Sequence, residues 1–396
     1  MRRVLVLGLA RSGRAAQAAL EARGTKVVAA DRTLGNDEDV ALLDGVEMVV
    51  KSPGVPGDAP LVVAAREHGI PVWSEIELAA RLLPNPLIGV TGTNGKTTTT
   101  ELLGAMLGAP TAGNVGTALS ELDGRVEAGE WIVCELSSFQ LEDVHELRPR
   151  IAVLLNLQPD HLDRHGSFEA YRAAKLRIFE NQTAEDMAVV PRGFGPVPGE
   201  GRRIEFSADD ELPAEPLIPG AHNRENAAAA TAAARAAGAD DDQIAEALRT
   251  FLGVPHRLEL VAEIDGVRWV NDSKATNTAA TTRALQAFPE ARRLHLILGG
   301  YDKNEDFEEL ARTLPAQVET IYVIGASTER ILAALERAGR PGWIADTLGN
   351  AVSKATAGAM PGDVVLLSPA CASYDQFTSF EHRGEEFRRL VENLQG

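Results

Sequence analysis

The residues best equipped for chemistry stand together at Thr91-Gly92-Thr93-Asn94-Gly95-Lys96-Thr97, with Thr98 next. The run follows the apolar stretch PLIGV and precedes TTTELLGAML, so a strand enters the loop and a helix leaves it. That is the setting a phosphate-binding loop requires. Glycines let backbone N–H groups turn inward around phosphate oxygens, and the helix N-terminus adds partial positive charge. Lys96 would neutralise the β- and γ-phosphates of a nucleotide. The Thr97 hydroxyl suits Mg²⁺, a hard cation that prefers oxygen. The spacing is G-x-x-G-K-T, shorter than G-x-x-x-x-G-K-[ST], which would need glycine at 90, where Val90 stands.

Three further stretches offer ligands and bases. Glu135 ends the apolar run WIVCEL and is followed by Ser137, Ser138 and Gln140. Asp160-His161-Leu162-Asp163-Arg164-His165 follows AVLLNLQ in the same way, and Lys175 lies in YRAAKLRIFEN on the next helix. A carboxylate at the C-terminal end of a parallel strand faces the ligand crevice. Taken alone, His161 is equally a satisfied structural histidine, Glu135 a solvated strand end and Lys175 a surface helix lysine. Their common position after strand ends, on the side of the phosphate loop, favours a single site.

The elements that must hold these groups alternate along the chain. RRVLVLGL, the turn GLARSG, the helix AAQAALEARG and the strand TKVVAAD make a βαβ start, with further strands at VEMVVKS and IPVWS. Two prolines and an asparagine in Leu82–Pro86 mark a linker. A second α/β unit carries strands at PLIGV, EWIVCEL and RIAVLLNL, then the Ala-rich helix AHNRENAAAATAAARAAG. A break falls near Gly253-Val254-Pro255, and a third unit has strands at RWVND, LHLILGG, TIYVIG and DVVLLSP. Strands alternating with helices argue an α/β chain with parallel sheets. Three domains are expected, at 1–84, 85–253 and 254–396.

With 396 residues, 44% apolar, the chain has enough hydrophobic residues for several cores. Its formal net charge is −18, which repels a polyanion such as DNA, so no nucleic-acid partner is expected. Cys134 and Cys371, each in an apolar stretch, suggest no disulfide framework and fit a reducing cytoplasm. No stretch approaches the roughly 20 apolar residues of a membrane helix, and MRRVLVLGLARSG runs into a Gly turn, not a cleavage site. A cytoplasmic protein without membrane insertion, acting as a monomer, is expected.

TGTNGKTTT, ELSSFQL, NLQPDHLDRH, YRAAKLRIFEN and GAHNRENAAAA resemble the central ATPase domain of Mur ligases. HRLE, NDSKATN, LGGYDKNEDF and SPACASYDQFTSFEHRGEEF resemble the D-glutamate-adding branch of that family. The resemblance covers nearly the whole chain. It implies a Rossmann-like UDP-binding domain, a P-loop ATPase-like domain and a C-terminal Rossmann-like domain. The implied substrates are ATP, UDP-N-acetylmuramoyl-L-alanine and D-glutamate, joined through an acyl phosphate with two Mg²⁺ ions.

The resemblance also implies roles. Gly92, Thr93, Asn94, Gly95, Lys96, Thr97 and Thr98 would hold the ATP phosphates. Thr97, Glu135, His161 and an N-carbamylated Lys175 would hold Mg²⁺, with Lys96, Glu135, His161 and Lys175 the catalytic set. Asn223 and Asn226, three apart on one helix face, look like adenine-side contacts. Arg257, Asp272 and Lys274 look like nucleotide contacts from the third domain. Arg11, Ser12, Gly13, Asp31, Arg32, Ser52, Asn114 and His161 match contacts to the UDP-linked substrate. Lys303, Thr276, Ser373, Tyr374 and Phe380 match positions around the D-glutamate carboxylates, where a dicarboxylate needs a fixed cation and donors. Tyr374 departs from the family, where an aliphatic residue is expected.

Three other readings compete. A folylpolyglutamate-type amino-acid ligase would share the ATPase core, but NDSKATN and the first domain argue against it. A nucleotide-binding regulatory protein or motor leaves the charged motifs of the other domains unused. An NAD oxidoreductase has no use for the phosphate loop, and Ala10 replaces the middle glycine of G-x-G-x-x-G.

Overall fold

The computed structural model describes residues 3–218, 220–302 and 305–394, the side chain of Asp163 apart. Lys303 therefore lies outside the described residues. The chain divides into two compact units, Met1–Leu217 with Ala221–Phe251, and Ile218–Gly220 with Leu252–Gly396. Three sheets are distributed over them.

The first unit holds two sheets. Strands β1 (Arg3–Leu7), β2 (Lys26–Ala30), β3 (Met48–Lys51) and β4 (Val72–Ser74) form a parallel sheet in the order β2-β1-β3-β4. Strands β5 (Leu87–Thr91), β6 (Thr111–Gly113), β7 (Ile132–Glu135), β8 (Ile151–Leu154), β9 (Met187–Pro191) and β10 (Arg202–Phe206) form a second, in the order β10-β9-β8-β5-β7-β6. All its pairings are parallel. Such a sheet is covered on both faces, so its strands read as unbroken apolar runs. Every residue of β5, β7 and β8 is buried.

The Pro84–Pro86 turn lies inside this first unit. The helix Glu75–Leu82 before it sends Ile76 and Ala79 into the core of the second sheet. Its buried Glu77 accepts the backbone N–H groups of His145, Glu146 and Leu147 at 2.9–3.0 Å. Asp143 pairs with Lys51 at 3.0 Å and Arg66 at 2.8 Å. A shared core and the buried Lys51–Asp143 pair make the first two sheets one compact body.

The second unit contains β11 (Glu259–Ile264), β12 (Val267–Asn271), β13 (Leu294–Gly299), β14 (Val318–Ile324), β15 (Gly342–Asp346) and β16 (Val364–Leu367), ordered β11-β12-β16-β13-β14-β15. The expectation of parallel pairing fails at one place, because β11 and β12 are antiparallel. Asp265 and Gly266 join them with φ of 50° and 75°. Two successive positive φ values suit a tight hairpin, and Asp-Gly is a favoured pair for them.

Two topological facts position chemistry. In the second sheet β5 lies between β7 and β8, with Val90 level with Glu135 and Thr91 level with Leu154. In the third sheet β16 lies between β12 and β13, with Leu367 level with both Asn271 and Ile297. Each sheet thus gathers three loops at the C-terminal ends of adjacent strands, where open α/β sheets bind ligands. Among the described residues no helix is long and apolar enough to cross a membrane.

Candidate functional site

The loop after β5 turns at Gly92 (φ 155°) and Gly95 (φ 83°) into the helix Lys96–Leu107. Gly95, having no side chain, offers that helix no capping acceptor, which suits a helix N-terminus that is to receive an anion. A Cβ on Gly95 would fall 2.1 Å from Asn226 Oδ1. Glycine is therefore needed for space as well as for its left-handed conformation. Asn226 comes this close because the helix Ala221–Ala237 buries alanines at 227–230, 233 and 234 beside the helix of the phosphate loop. Asn226 Nδ2 donates to Asn223 Oδ1 at 3.3 Å, which links the two asparagines.

The loop is pinned from β8. Thr93 N–H donates to Asn156 O at 3.0 Å, and Asn94 N–H to Asn156 Oδ1 at 2.9 Å. Thr93 Oγ1 lies 3.0 Å from the Tyr171 hydroxyl. Lys96 Nζ donates to the carbonyls of Gly92 and Thr93, both at 2.9 Å. The ammonium is thereby held over the loop. Thr97 and Thr98 are buried at the start of the helix.

Glu135 and Lys175 are not the exposed side chains their sequence contexts allow. Both are 2% exposed. Glu135 Oε1 accepts from Asn114 Nδ2 at 2.9 Å, while Oε2 is buried with no hydrogen-bond partner among the described residues. A buried carboxylate oxygen without a donor is costly, and a cation is its natural complement. Lys175 Nζ lies 3.5 Å from Thr91 Oγ1 and 4.9 Å from the centre of the Tyr171 ring. Burial, with Lys96 close by, pushes its ammonium from 10.5 down to about 7 against the opposing pull of Asp160 and Glu135. An amine brought this close to neutrality, within electrostatic reach of an unsatisfied carboxylate, is the kind of pair that a metal site completed by a carbamate would need. Among the described residues no three His, Cys, Asp or Glu side chains cluster as a ready metal cage.

His161 caps the short helix Leu162–His165. It is in the left-handed region (φ 51°), about half exposed, 3.6 Å from Asp160 Oδ2, with its ring 4.8 Å from that of Phe139. The side chain of His165, four residues on, is only 4% exposed. Its Nε2 lies 3.0 Å from Ser138 Oγ and its Nδ1 3.4 Å from Glu142 Oε1. Burial holds this imidazole below its ordinary range.

At the first sheet, Asp31 Oδ2 accepts Leu9 N–H at 2.6 Å and Oδ1 accepts Thr33 N–H at 2.8 Å. These bonds lower its carboxyl to about 2. Ser52 Oγ donates to Gly8 O at 2.7 Å. A Cβ on Gly13 would meet that same oxygen at 1.8 Å, so the turn containing Arg11, Ser12 and Gly13 sits close on Ser52. Arg11 bonds the Gly116 carbonyl, beside the loop of Asn114, and Arg32 is exposed.

In the second unit, Asp272 follows β12 and is 5% exposed. Its Oδ2 accepts Ser368 Oγ at 2.8 Å and its Oδ1 accepts Leu258 N–H at 3.3 Å, next to Arg257. Burial raises its carboxyl from 3.8 to about 7. Arg383, 1% exposed, donates to Ser273 Oγ (2.9 Å), Ser273 O (2.8 Å), Cys371 O (3.0 Å) and Ala372 O (3.2 Å). It clamps the loop of Lys274 and Thr276 to the loop of Ser373 and Tyr374. Ser273 Oγ donates to Phe380 O at 2.8 Å, and Lys274 Nζ lies 5.9 Å from the Phe380 ring. Ser373 is buried and Tyr374 exposed.

Asn156, Arg164, His165 and Arg383 lie within the sequence motifs, with nothing in those motifs to mark a role for them. Asn156, Arg164 and Arg383 act mainly on backbone atoms far away in the chain.

A strand–loop–helix phosphate cradle, beside a buried carboxylate and a buried amine, defines a nucleotide-using α/β enzyme. Residues 90–193 match the Mur ligase middle domain and residues 256–371 the Mur ligase, glutamate ligase domain. The UDP-N-acetylmuramoylalanine--D-glutamate ligase of Acidobacterium capsulatum is 42% identical over 98% of this chain and 96% of its own. That of Geobacillus kaustophilus is 42% identical over 99% and 98%. Among solved structures, the UDP-N-acetylmuramate-alanine ligase of Thermotoga maritima covers 100% of this chain and 99% of its own, at 21% identity and a TM-score of 0.58. MurF ligase of Thermotoga maritima in complex with ADP covers 100% and 96% at 18% identity and a TM-score of 0.58. At these identities the structural likeness is one of fold. The chain belongs to the Mur ligase family, among its UDP-N-acetylmuramoylalanine--D-glutamate ligases.

Proposed function

We propose that the protein joins D-glutamate to UDP-N-acetylmuramoyl-L-alanine at the expense of ATP, in the building of a peptidoglycan precursor. The observation that carries this reading is the end-to-end identity of 42% with ligases named for that reaction. The geometry supports the chemistry. The terminal carboxylate of the UDP-linked substrate is a poor electrophile, so its oxygen first attacks the γ-phosphorus of ATP. ADP leaves and an acyl phosphate remains. The amine of D-glutamate, having lost a proton, attacks the acyl carbon, and phosphate departs with the C–O bonding pair. Catalysis of phosphoryl transfer is mostly positioning and charge stabilisation. Lys96 and the N–H groups of the phosphate loop supply both.

Glu135, Thr97, His161 and Lys175 as its carbamate would hold Mg²⁺, two ions in this reading, and the metal would draw electron density from the transferring phosphoryl oxygens. The orphan oxygen of Glu135 and the lowered ammonium of Lys175 support that assignment. Asn223 and Asn226 would line the adenine side. Arg11, Ser12, Gly13, Asp31, Arg32, Ser52 and Asn114 would face the UDP-linked substrate. Thr276, Ser373, Tyr374, Phe380 and Lys303 would receive D-glutamate, with Arg257, Asp272 and Lys274 toward the nucleotide. Three domains at 1–84, 85–253 and 254–396, acting as a cytoplasmic monomer, complete the reading.

The test is phosphate release from ATP with Mg²⁺ and UDP-N-acetylmuramoyl-L-alanine, with D-Glu, L-Glu, L-Ala and meso-diaminopimelate supplied separately. Release with D-Glu alone, and a product heavier by one glutamyl residue, is the expected result. Release with a different amino acid moves the specificity, and release with none of them removes the ligase reading.

A further inference from the structure

Arg164 lies between two histidines in the loop after β8, and nothing in the reaction above uses it. Its Nη1 donates to Pro53 O and its Nη2 to Val55 O, each at 3.0 Å. Its guanidinium carbon stands 4.2 Å from the centre of the Phe139 ring, and Nη2 lies 3.5 Å from Glu142 Oε2. One planar group thus joins three segments that are distant in sequence: the loop after β3, the helix after β7 and the loop of His161.

The contacts continue at both ends. Val55 O also accepts from Lys51 Nζ at 3.1 Å, and Lys51 is 1% exposed and paired with Asp143 at 3.0 Å. Ser52, at the start of the same loop, bonds Gly8 O at 2.7 Å and so supports the turn of Arg11 and Ser12. On the other side Glu142 receives His165, which reaches Ser138, three residues after Glu135. The short helix Leu162–His165 hangs on His161, whose carbonyl accepts the N–H groups of Arg164 (3.1 Å) and His165 (3.0 Å).

We propose that Arg164 is a positioning residue, locking the Ser52–Val55 loop to the His161 loop so that the diphosphate end and the reacting end of the UDP-linked substrate are held in one register. This rests on the substrate assignment above. Carbonyls two residues apart need a rigid fork, and the flat face needs an aromatic platform. Arginine meets both needs, and lysine, a single flexible ammonium, meets neither.

Arg164→Lys tests the idea on the whole chain. Hydrogen–deuterium exchange without ligands should show the amides of 52–59 and 160–166 exchanging about tenfold faster, with 92–107 unchanged. Calorimetry should show UDP-N-acetylmuramoyl-L-alanine binding weakened about tenfold and ADP binding held within about twofold. Phe139→Leu, which removes the platform and keeps every charge, should reproduce the pattern more weakly. Unchanged exchange at 52–59 overturns the proposal. So does an equal loss of ADP and substrate affinity, which would signal general loosening. A wild-type chain that binds ADP and no UDP-linked substrate would refute the substrate assignment instead, and the ligand-free exchange would still decide whether the brace exists.

Discussion

Lys175 permits the sharpest quantitative prediction. Carbamylation needs a neutral amine, because only the free electron pair attacks CO₂. At its ordinary 10.5, a lysine at pH 7.5 is about 0.1% neutral. With the ammonium brought down to about 7, roughly three-quarters of the side chains are neutral, an increase of about 750-fold. The cause is burial beside Lys96. The product is an anionic oxygen pair close to Lys96, so the modification relieves the repulsion that favoured it. Equilibrating the protein with ¹³C-bicarbonate and recording its carbonyl NMR spectrum reads this directly. A carbamate resonance should appear in the wild type, rise between about pH 6 and 8, and be missing in Lys175→Arg, which stays charged. Above that window it should level off, because the proton released as the carbamate forms offsets the conversion of CO₂ to bicarbonate, and the signal follows the neutral amine. A resonance of equal intensity in Lys175→Arg, or a rise centred near pH 10, would refute the reasoning. The same lowering has a stability signature. Between about 7 and 10.5 the unfolded chain binds a proton that the native lysine does not, so in carbonate-free buffer this residue makes stability rise with pH across that window.

The other predictions concern the phosphate loop and the second unit. Gly95→Ala places a Cβ 2.1 Å from Asn226 Oδ1 at a φ of 83°; it should cost about 1–3 kcal/mol in urea unfolding and weaken ADP binding at least about tenfold by calorimetry. Asp272→Asn tests the buried carboxyl: between about pH 4 and 7 the native side chain keeps a proton that the unfolded chain has lost, so wild-type stability falls as pH rises. The variant does not titrate, and its stability relative to wild type should improve by about 4 kcal/mol between pH 4 and pH 8, a gain that paired urea titrations would find missing if the carboxyl were ordinary. Arg383→Met strips four hydrogen bonds and leaves the carbonyls of Ser273 and Cys371 without their donor, while Ala372 O keeps the Tyr301 N–H; unfolding of the second unit should be easier by about 3–5 kcal/mol, and a melting profile within a degree or two of wild type would show the clamp to be dispensable.

How far the site could be read in advance depended on what each residue binds. The phosphate loop was legible because strand, glycines, lysine and threonine lie within seven consecutive residues and their roles are local. Glu135 was legible as a strand end, but its burial was not, since that depends on which strands flank β7. Lys175 looked like any helix lysine, yet a signal was present: Tyr171, Ala174, Lys175 and Ile178 follow the i, i+3, i+4, i+7 rule, and all four are buried. A lysine on an apolar stripe is a lysine taken out of water, and that is where the lowered ammonium comes from. The antiparallel pair of β11 and β12 was likewise announced by Asp265-Gly266 between apolar runs, and was hidden only by the alternation of strands and helices elsewhere. Asn156, Arg164 and Arg383 are different. Their partners are mostly backbone atoms up to 111 positions away. Any residue type supplies a carbonyl or an amide, so there is no complementary side chain to find in the sequence. Groups that meet a ligand are constrained by its chemistry and show in their own identity, whereas groups that position the loops are constrained by where the backbone passes, which only the folded chain defines.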